Sequence, residues 1–238
     1  MNSVRSNFKR AVVCLLFCSL GAISGFAQQI DSSSIVPHID AAVKARIEHV
    51  ADYGVTEHYA VFRGAETQPS AEISVKTDYR KDHGKTYTVL SESGSGIMRH
   101  ELHNILDDEK QMSQPGVRET VLVDSANYAM VLKSDAPTQM DGRDCLVLQL
   151  TPKRNDPSLF RGTLWVDAKD FSIVQLEGIA AKSHSFLLSP SQVSRQYSNM
   201  SGYPMATHAK ATTNIALVGA VTIKIDYTGY TIDLQSGN

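Results

Sequence analysis

The sequence predicts an α+β fold: a curved antiparallel β-sheet, a half-barrel, with amphipathic helices covering its concave face. Three observations predict it. Between Gly142 and Gly178 three short strands follow one another with turn residues between them, which makes an antiparallel meander. From Ile215 to Tyr227 apolar and polar residues alternate, so one face of the sheet is apolar and the other wet. In the first half of the chain two segments repeat apolar residues at helical spacing, and a half-barrel needs such elements to cover its apolar face.

The elements follow in order. After a polar leader from Gln28 to Ser34, Val36, Ile39, Val43, Ile47 and Val50 recur every three or four residues, which predicts a helix ending near Tyr53-Gly54. Pro37 is tolerated in its first turn. Strands are expected at His58 to Arg63, Glu72 to Tyr79 and Thr86 to Ser91, the last two joined across Asp82-His83-Gly84. Ser95 then caps a second helix that carries Met98, Leu102, Ile105 and Leu106 on one side. Beyond it the chain reads as nearly all strand.

The meander opens at the turn pair Asp141-Gly142. Leu146, Leu148 and Leu150 alternate with Val147, Gln149 and Thr151, and Pro152 ends the strand. A polar connection leads to a strand from Gly162 through Val166, and the turn Ala168-Lys169-Asp170 returns the chain as Phe171 to Leu176. In the last segment Ile215, Leu217, Val221, Ile223, Ile225 and Tyr227 share one parity, opposite Thr222, Lys224, Asp226 and Thr228. As a single strand it would be about 40 Å long at ~3.3 Å per residue, and Gly219 in its middle is a natural bend or bulge.

The string Leu150-Thr151-Pro152-Lys153-Arg154, then Leu159 to Asp167 (Leu-Phe-Arg-Gly-Thr-Leu-Trp-Val-Asp), then Phe171 to Gly178 (Phe-Ser-Ile-Val-Gln-Leu-Glu-Gly), resembles the second half of periplasmic outer-membrane lipoprotein-sorting proteins, relatives of the lipoprotein carrier LolA. The residue match covers roughly 140 to 180, and the order of elements fits over about 36 to 230. The resemblance implies that the concave face binds acyl chains and that the helices act as its lid. It assigns that face to Leu146, Leu148, Leu150, Leu164, Val166, Leu217, Val221, Ile223 and Ile225. From the residues alone these positions line either a filled core or a cavity, because both demand the same apolar parity. The implied partners are acylated lipoproteins or lipids, with donor and acceptor proteins at the inner and outer membranes. The arginine by which such carriers control lid closure has no position here that can be matched. Trp165 has the other parity from Leu164 and Val166, which puts it on the convex face or the rim.

The first 27 residues read as a secretory signal. Arg5, Lys9 and Arg10 precede an apolar run from Ala11 to Leu20, and Gly25-Phe26-Ala27 offers small residues for cleavage. The uncharged stretch Ala11 to Ala27 has 17 residues, diluted by Ser and Gly, against the ~20 apolar residues of a membrane span. Phe17 and Val13 precede the two cysteines of this segment where a lipoprotein motif requires a small residue. Without residues 1–27 the chain has 20 basic and 25 acidic residues, a net charge near −5, with no basic cluster for nucleic acid. Residues 28–238 are expected to form one domain in the periplasm, with Cys145 as their only thiol and hence no internal disulfide.

No residues group as a catalytic or cofactor site. His100 and His103 are spaced i and i+3, one short of the zinc-protease helix pattern, and with Asp107 they read as a solvated helix face. Gly94-Ser95-Gly96 lacks the spacing of a nucleophile elbow. Asp144 beside Cys145 disfavours a thiolate, and Asp167, Asp170 and Glu177 read as ordinary acids of strand ends and turns. The resemblance makes the expected function a periplasmic carrier of lipoproteins or lipids, acting without covalent chemistry, metal or cofactor. The alternative is a periplasmic sensor or regulatory module that binds a peptide or envelope-protein segment in the same half-barrel.

Overall fold

The computed structural model describes residues 31–134, 136–183, 189–216 and 219–235. Residues 1–27, expected to be a signal segment, and Leu217 of the expected ligand face lie outside the described residues. Helix α1 (Ser32–His49) buries Ile35 and Ile39 and leaves at Val50 directly into strand β1 (Val50–Arg63). It stops several residues before the expected Tyr53-Gly54, because that stretch is paired on both sides as strand: Tyr53 lies opposite Tyr79 and Ile232. Since the helix starts at Ser32, Pro37 falls in its second turn and not its first. Strands β2 (Ala71–Arg80) and β3 (Gly84–Gly94) form the expected hairpin, and α2 (Gly96–Met112) follows. Ser95 occupies the N-cap position of α2, but its side chain makes no capping hydrogen bond.

The second half is strand: β4 (Tyr128–Leu132), β5 (Thr138–Met140), β6 (Arg143–Pro152), β7 (Phe160–Asp167), β8 (Ile173–Ala180), β9 (Gln192–Met200), β10 (Tyr203–Ile215) and β11 (Gly219–Leu234). All join one antiparallel, open, curved sheet in the order β3-β2-β1-β11-β10-β9-β8-β7-β6-β4, with β5 also paired to β6. The Asp141-Gly142 turn forms as expected. It is a two-residue connection with both φ angles positive, 49° and 75°, the hairpin form whose twist matches the strands. Ser201-Gly202 repeats the device between β9 and β10.

Two expectations change. The return strand begins at Ile173 and not Phe171, because Phe171 is held at φ 58° in the turn, its N–H donating to the Asp167 carbonyl at 3.0 Å. The expected single strand from Ile215 to Tyr227 is two strands: the chain reverses between Ile215 and Gly219, which face each other across β10 and β11, and Gly219 has φ 90°. Directly opposed residues of an antiparallel pair point to the same face. Odd positions of β10 oppose odd positions of β11, so the alternation runs unbroken through the reversal.

Two cores form on the concave face. Under α1, the Leu146, Leu148, Leu150, Leu164 and Val166 side chains pack with Ile35, Ile39, Tyr128 and Leu176. Under α2, Leu102 and Leu106 pack on Tyr59, Val61, Ile73 and Ile225. At ~1.5–3 kcal/mol for each fully buried aliphatic side chain, these two clusters supply most of the driving force for folding. No described helix is long and apolar enough to cross a membrane.

Candidate ligand-binding face

One row of paired residues runs across the concave face from the β4 edge as far as β2, one strand short of the β3 edge: Leu132, Leu148, Leu164, Leu176, Arg195, Ala209, Ile225, Tyr59 and Ile73. Everything in it is apolar or aromatic except Arg195, which stands where the core under α1 gives way to the core under α2. The adjoining row reads Leu150, Gly162, Gly178, Val193, Ala211, Ile223 and Val61. Its central members, from Gly178 to Ile223, are half-buried, whereas Leu150 and Val61 at its ends are buried. Between the two helices, then, β9, β10 and the start of β11 present a strip of small and apolar side chains that keeps some contact with solvent.

The residues assigned to the ligand face divide accordingly. Leu146, Leu148, Leu150, Leu164 and Val166 are together, and α1 covers them so fully that none is more than 3% exposed. Ligand contact with them requires α1 to lift. Ile225 is buried beside Tyr59, while Val221 and Ile223 line the strip. Trp165 lies on the outer face, opposite Val147 and Gln175.

A buried polar network under α2 escaped the sequence reading. Glu57 is 0% exposed and accepts a 2.5 Å hydrogen bond from the Tyr59 hydroxyl. Lys85 of β3 bridges it to α2, with Nζ 3.2 Å from Glu57 and 2.6 Å from Glu109, and the Tyr87 hydroxyl also donates to Glu109. Burial works against the Lys85 charge, yet Glu109 and Glu57 beside it hold its pKa well above the ordinary lysine value. Burial likewise works against the Glu109 charge, and Lys85 with Arg195 keeps that carboxyl below its usual range. Tyr227 foremost, then Tyr197 and Glu109, hold the Arg195 pKa well above its ordinary value against the effect of burial. One signal was available: Glu57 shares parity with Val55, Tyr59 and Val61, and Arg195 with Val193 and Tyr197, so each is a charge written into an apolar face.

The groups weighed for chemistry are placed as follows. His103 pairs with Glu92 at 2.9 Å, while His100 and Asp107 are exposed on α2. Asp167 and Asp170 accept backbone N–H groups of Lys169 and Ser172 within their turn, and Glu177 accepts from Gln175. Cys145 is 0% exposed, and burial, with nearby acids, pushes its thiol pKa up. On the outer face His58 lies between Ser74 Oγ, 2.9 Å from Nδ1, and Glu72 Oε1, 3.3 Å from Nε2. These three have the residue types of a hydrolase triad. Their strands are paired on both sides, however, so the local backbone N–H groups serve the sheet and are not free to hold an oxyanion. A groove of about 500 Å³ on the outer face is lined by Arg161, Glu177, Gln192 and Lys210.

No known family profile matches the sequence. No curated protein matches it either. Among solved structures, the chain is similar to a LolA superfamily protein from Nitrosomonas europaea, with 12% identity, 88% of this chain and 96% of that one covered, and a TM-score of 0.44. An outer membrane lipoprotein-sorting protein domain from Vibrio parahaemolyticus is similar at 13% identity, over 84% of this chain and 92% of the other, with a TM-score of 0.45. The MucA/MucB complex structure from Pseudomonas aeruginosa is similar at 9% identity, over 86% and 95%, with a TM-score of 0.29. The architecture itself is an open curved antiparallel sheet with two helices against its concave face, the arrangement that the sequence resemblance implies.

Proposed function

We propose that this protein is exported to the periplasm, where it carries lipoproteins or other acylated ligands between membranes and holds the acyl chain on its concave face without covalent chemistry. The observation that supports this reading is the half-buried strip of Val193, Ala211, Val221 and Ile223 between the two helix-covered cores. An apolar surface at the centre of a concave face, left partly open, gains ~0.8 kcal/mol for each acyl CH₂ that it removes from water. Several such groups hold a chain while leaving it exchangeable. Export rests on the leader's basic start, apolar run and cleavage site, and predicts a mature chain beginning at Gln28.

A second reading is supported by a different feature. The outer edge of β3 is unpaired among the described residues, and Val89 and Leu90 on it are exposed. Such an edge is a template for an added strand, as a peptide-binding regulatory module requires.

The test uses Ile223→Trp and Lys224→Trp, adjacent positions on opposite faces. Overpacking a filled core costs ~1–3 kcal/mol, whereas the same bulk in an open strip costs little and blocks the ligand. Ile223→Trp is expected to keep most of its Tm and to lose binding of a fluorescent acyl probe. Lys224, whose Nζ sits 4.6 Å from the Phe62 ring on the outer face, tolerates Trp with little change in either. If Ile223→Trp binds the probe like the parent, or unfolds, the strip is not the acyl site.

A further inference from the structure

We propose that Arg195 is the head-group anchor of the concave face, and that the ligand it selects is a single acyl chain ending in a carboxylate, an unesterified fatty acid. This rests on the acyl reading above and adds the chemical class of the ligand's polar end.

Arg195 is the one charged residue inside a row that is otherwise apolar from Leu132 to Ile73. A guanidinium carries five N–H donors in a planar fork and stays protonated. Among the described residues no carboxylate lies within 4 Å of it, because Lys85 takes both carboxylates of this region, Glu57 and Glu109. It is half-buried where the strip meets the network under α2, with Tyr227, Tyr197 and Glu109 as its polar neighbours. Its cross-strand neighbour is Ala209, and the next row holds Gly178, Val193 and Ala211, small groups that leave width for one chain. From Arg195 the concave positions continue along β10 and β11 through Ala211 and Ile223 to Thr213 and Val221 and then Ile215, three rows at ~7 Å each, about 20 Å of track for a tail that is apolar except for Thr213, whose hydroxyl is engaged by that of Ser191.

The charges nearby argue for a monoanion. Glu57 and Glu109 share one lysine, so Arg195 balances the single negative charge that remains. A carboxylate adds one further negative charge, whereas a phosphate monoester near −2 adds twice that beside Glu109. The planar fork also matches a carboxylate bidentately.

The test compares hexadecanoic acid, its methyl ester and a lysophosphatidic acid of the same chain length, with calorimetry on the mature protein. The acid is expected to bind about 10- to 100-fold tighter than the ester, the usual worth of a charge-assisted contact. Arg195→Gln lowers the acid to the level of the ester and leaves the ester unchanged, while Arg195→Lys keeps part of the difference. Equal affinity of acid and ester for the parent protein overturns the anchor and leaves the acyl reading standing. No binding of either removes both. Tighter binding of the phosphate than of the acid overturns the carboxylate assignment, as does an acid preference that survives in Arg195→Gln. The acid-to-ester ratio of the parent decides the question even where a variant does not fold.

Discussion

Lys85→Met isolates the ionic clamp that ties α2 to the sheet. Methionine keeps much of the apolar stem of lysine and removes its charge, which leaves Glu57, 0% exposed, and Glu109, 13% exposed, without their ion-pair partner, with Arg195 as the remaining cation near Glu109. Breaking a buried pair by removing one partner costs ~3–5 kcal/mol. Because Lys85 and Glu109 retain 15% and 13% exposure, the lower end applies, about 3 kcal/mol. For a chain of this length that lowers Tm by ~6–12 °C. The pH dependence gives the sharper check. The Glu109 pKa is depressed in the folded state, so its contribution is present above the ordinary carboxylate range and is lost as pH falls through the depressed value. The Lys85 pKa is raised, so its contribution is complete below the ordinary lysine value and is lost only as pH rises through the raised one. The parent clamp therefore holds across the neutral range. In Lys85→Met the Glu109 carboxyl takes up a proton more readily, and the stability gap between variant and parent narrows as pH falls toward 4. Urea denaturation at several pH values measures it, and adding Glu57→Gln should recover at least ~1 kcal/mol at neutral pH. A neutral-pH loss under ~1 kcal/mol, or a gap that does not change with pH, refutes the buried clamp.

Three further outcomes are expected. Gly162→Ala would place a Cβ 1.9 Å from the Glu177 carbonyl oxygen and 2.5 Å from the Gly178 Cα, so its cost in chemical denaturation should exceed the ~1–3 kcal/mol of ordinary overpacking. Leu148→Ala should cost ~2–5 kcal/mol, since Leu148 is 0% exposed under α1, whereas Leu90→Ala on the open edge should change stability by less than ~0.5 kcal/mol. Cys145 should resist a thiol reagent at pH 8 in the native protein and react at the rate of unfolding, and rapid native labelling would contradict its burial.

What the sequence determined by itself is what neighbours along the chain decide. Asp141-Gly142 is the turn it reads as, because only residues tolerant of positive φ make that connection. The inward parity of Leu146, Leu148 and Leu150, and the Leu102 and Leu106 stripe of α2, follow from the periods of strand and helix. Tertiary structure decided the rest. The end of α1 depends on β2 and β11 pairing with Tyr53, which local spacing does not contain. The reversal at Gly219 left no trace in the alternation, because residues opposed in an antiparallel pair share a face, so one long strand and a hairpin have the same pattern. The polar network is the furthest from the sequence. Glu57, Lys85, Glu109 and Arg195 lie on β1, β3, α2 and β9, and only the curvature of the sheet and the seating of α2 bring their charges together.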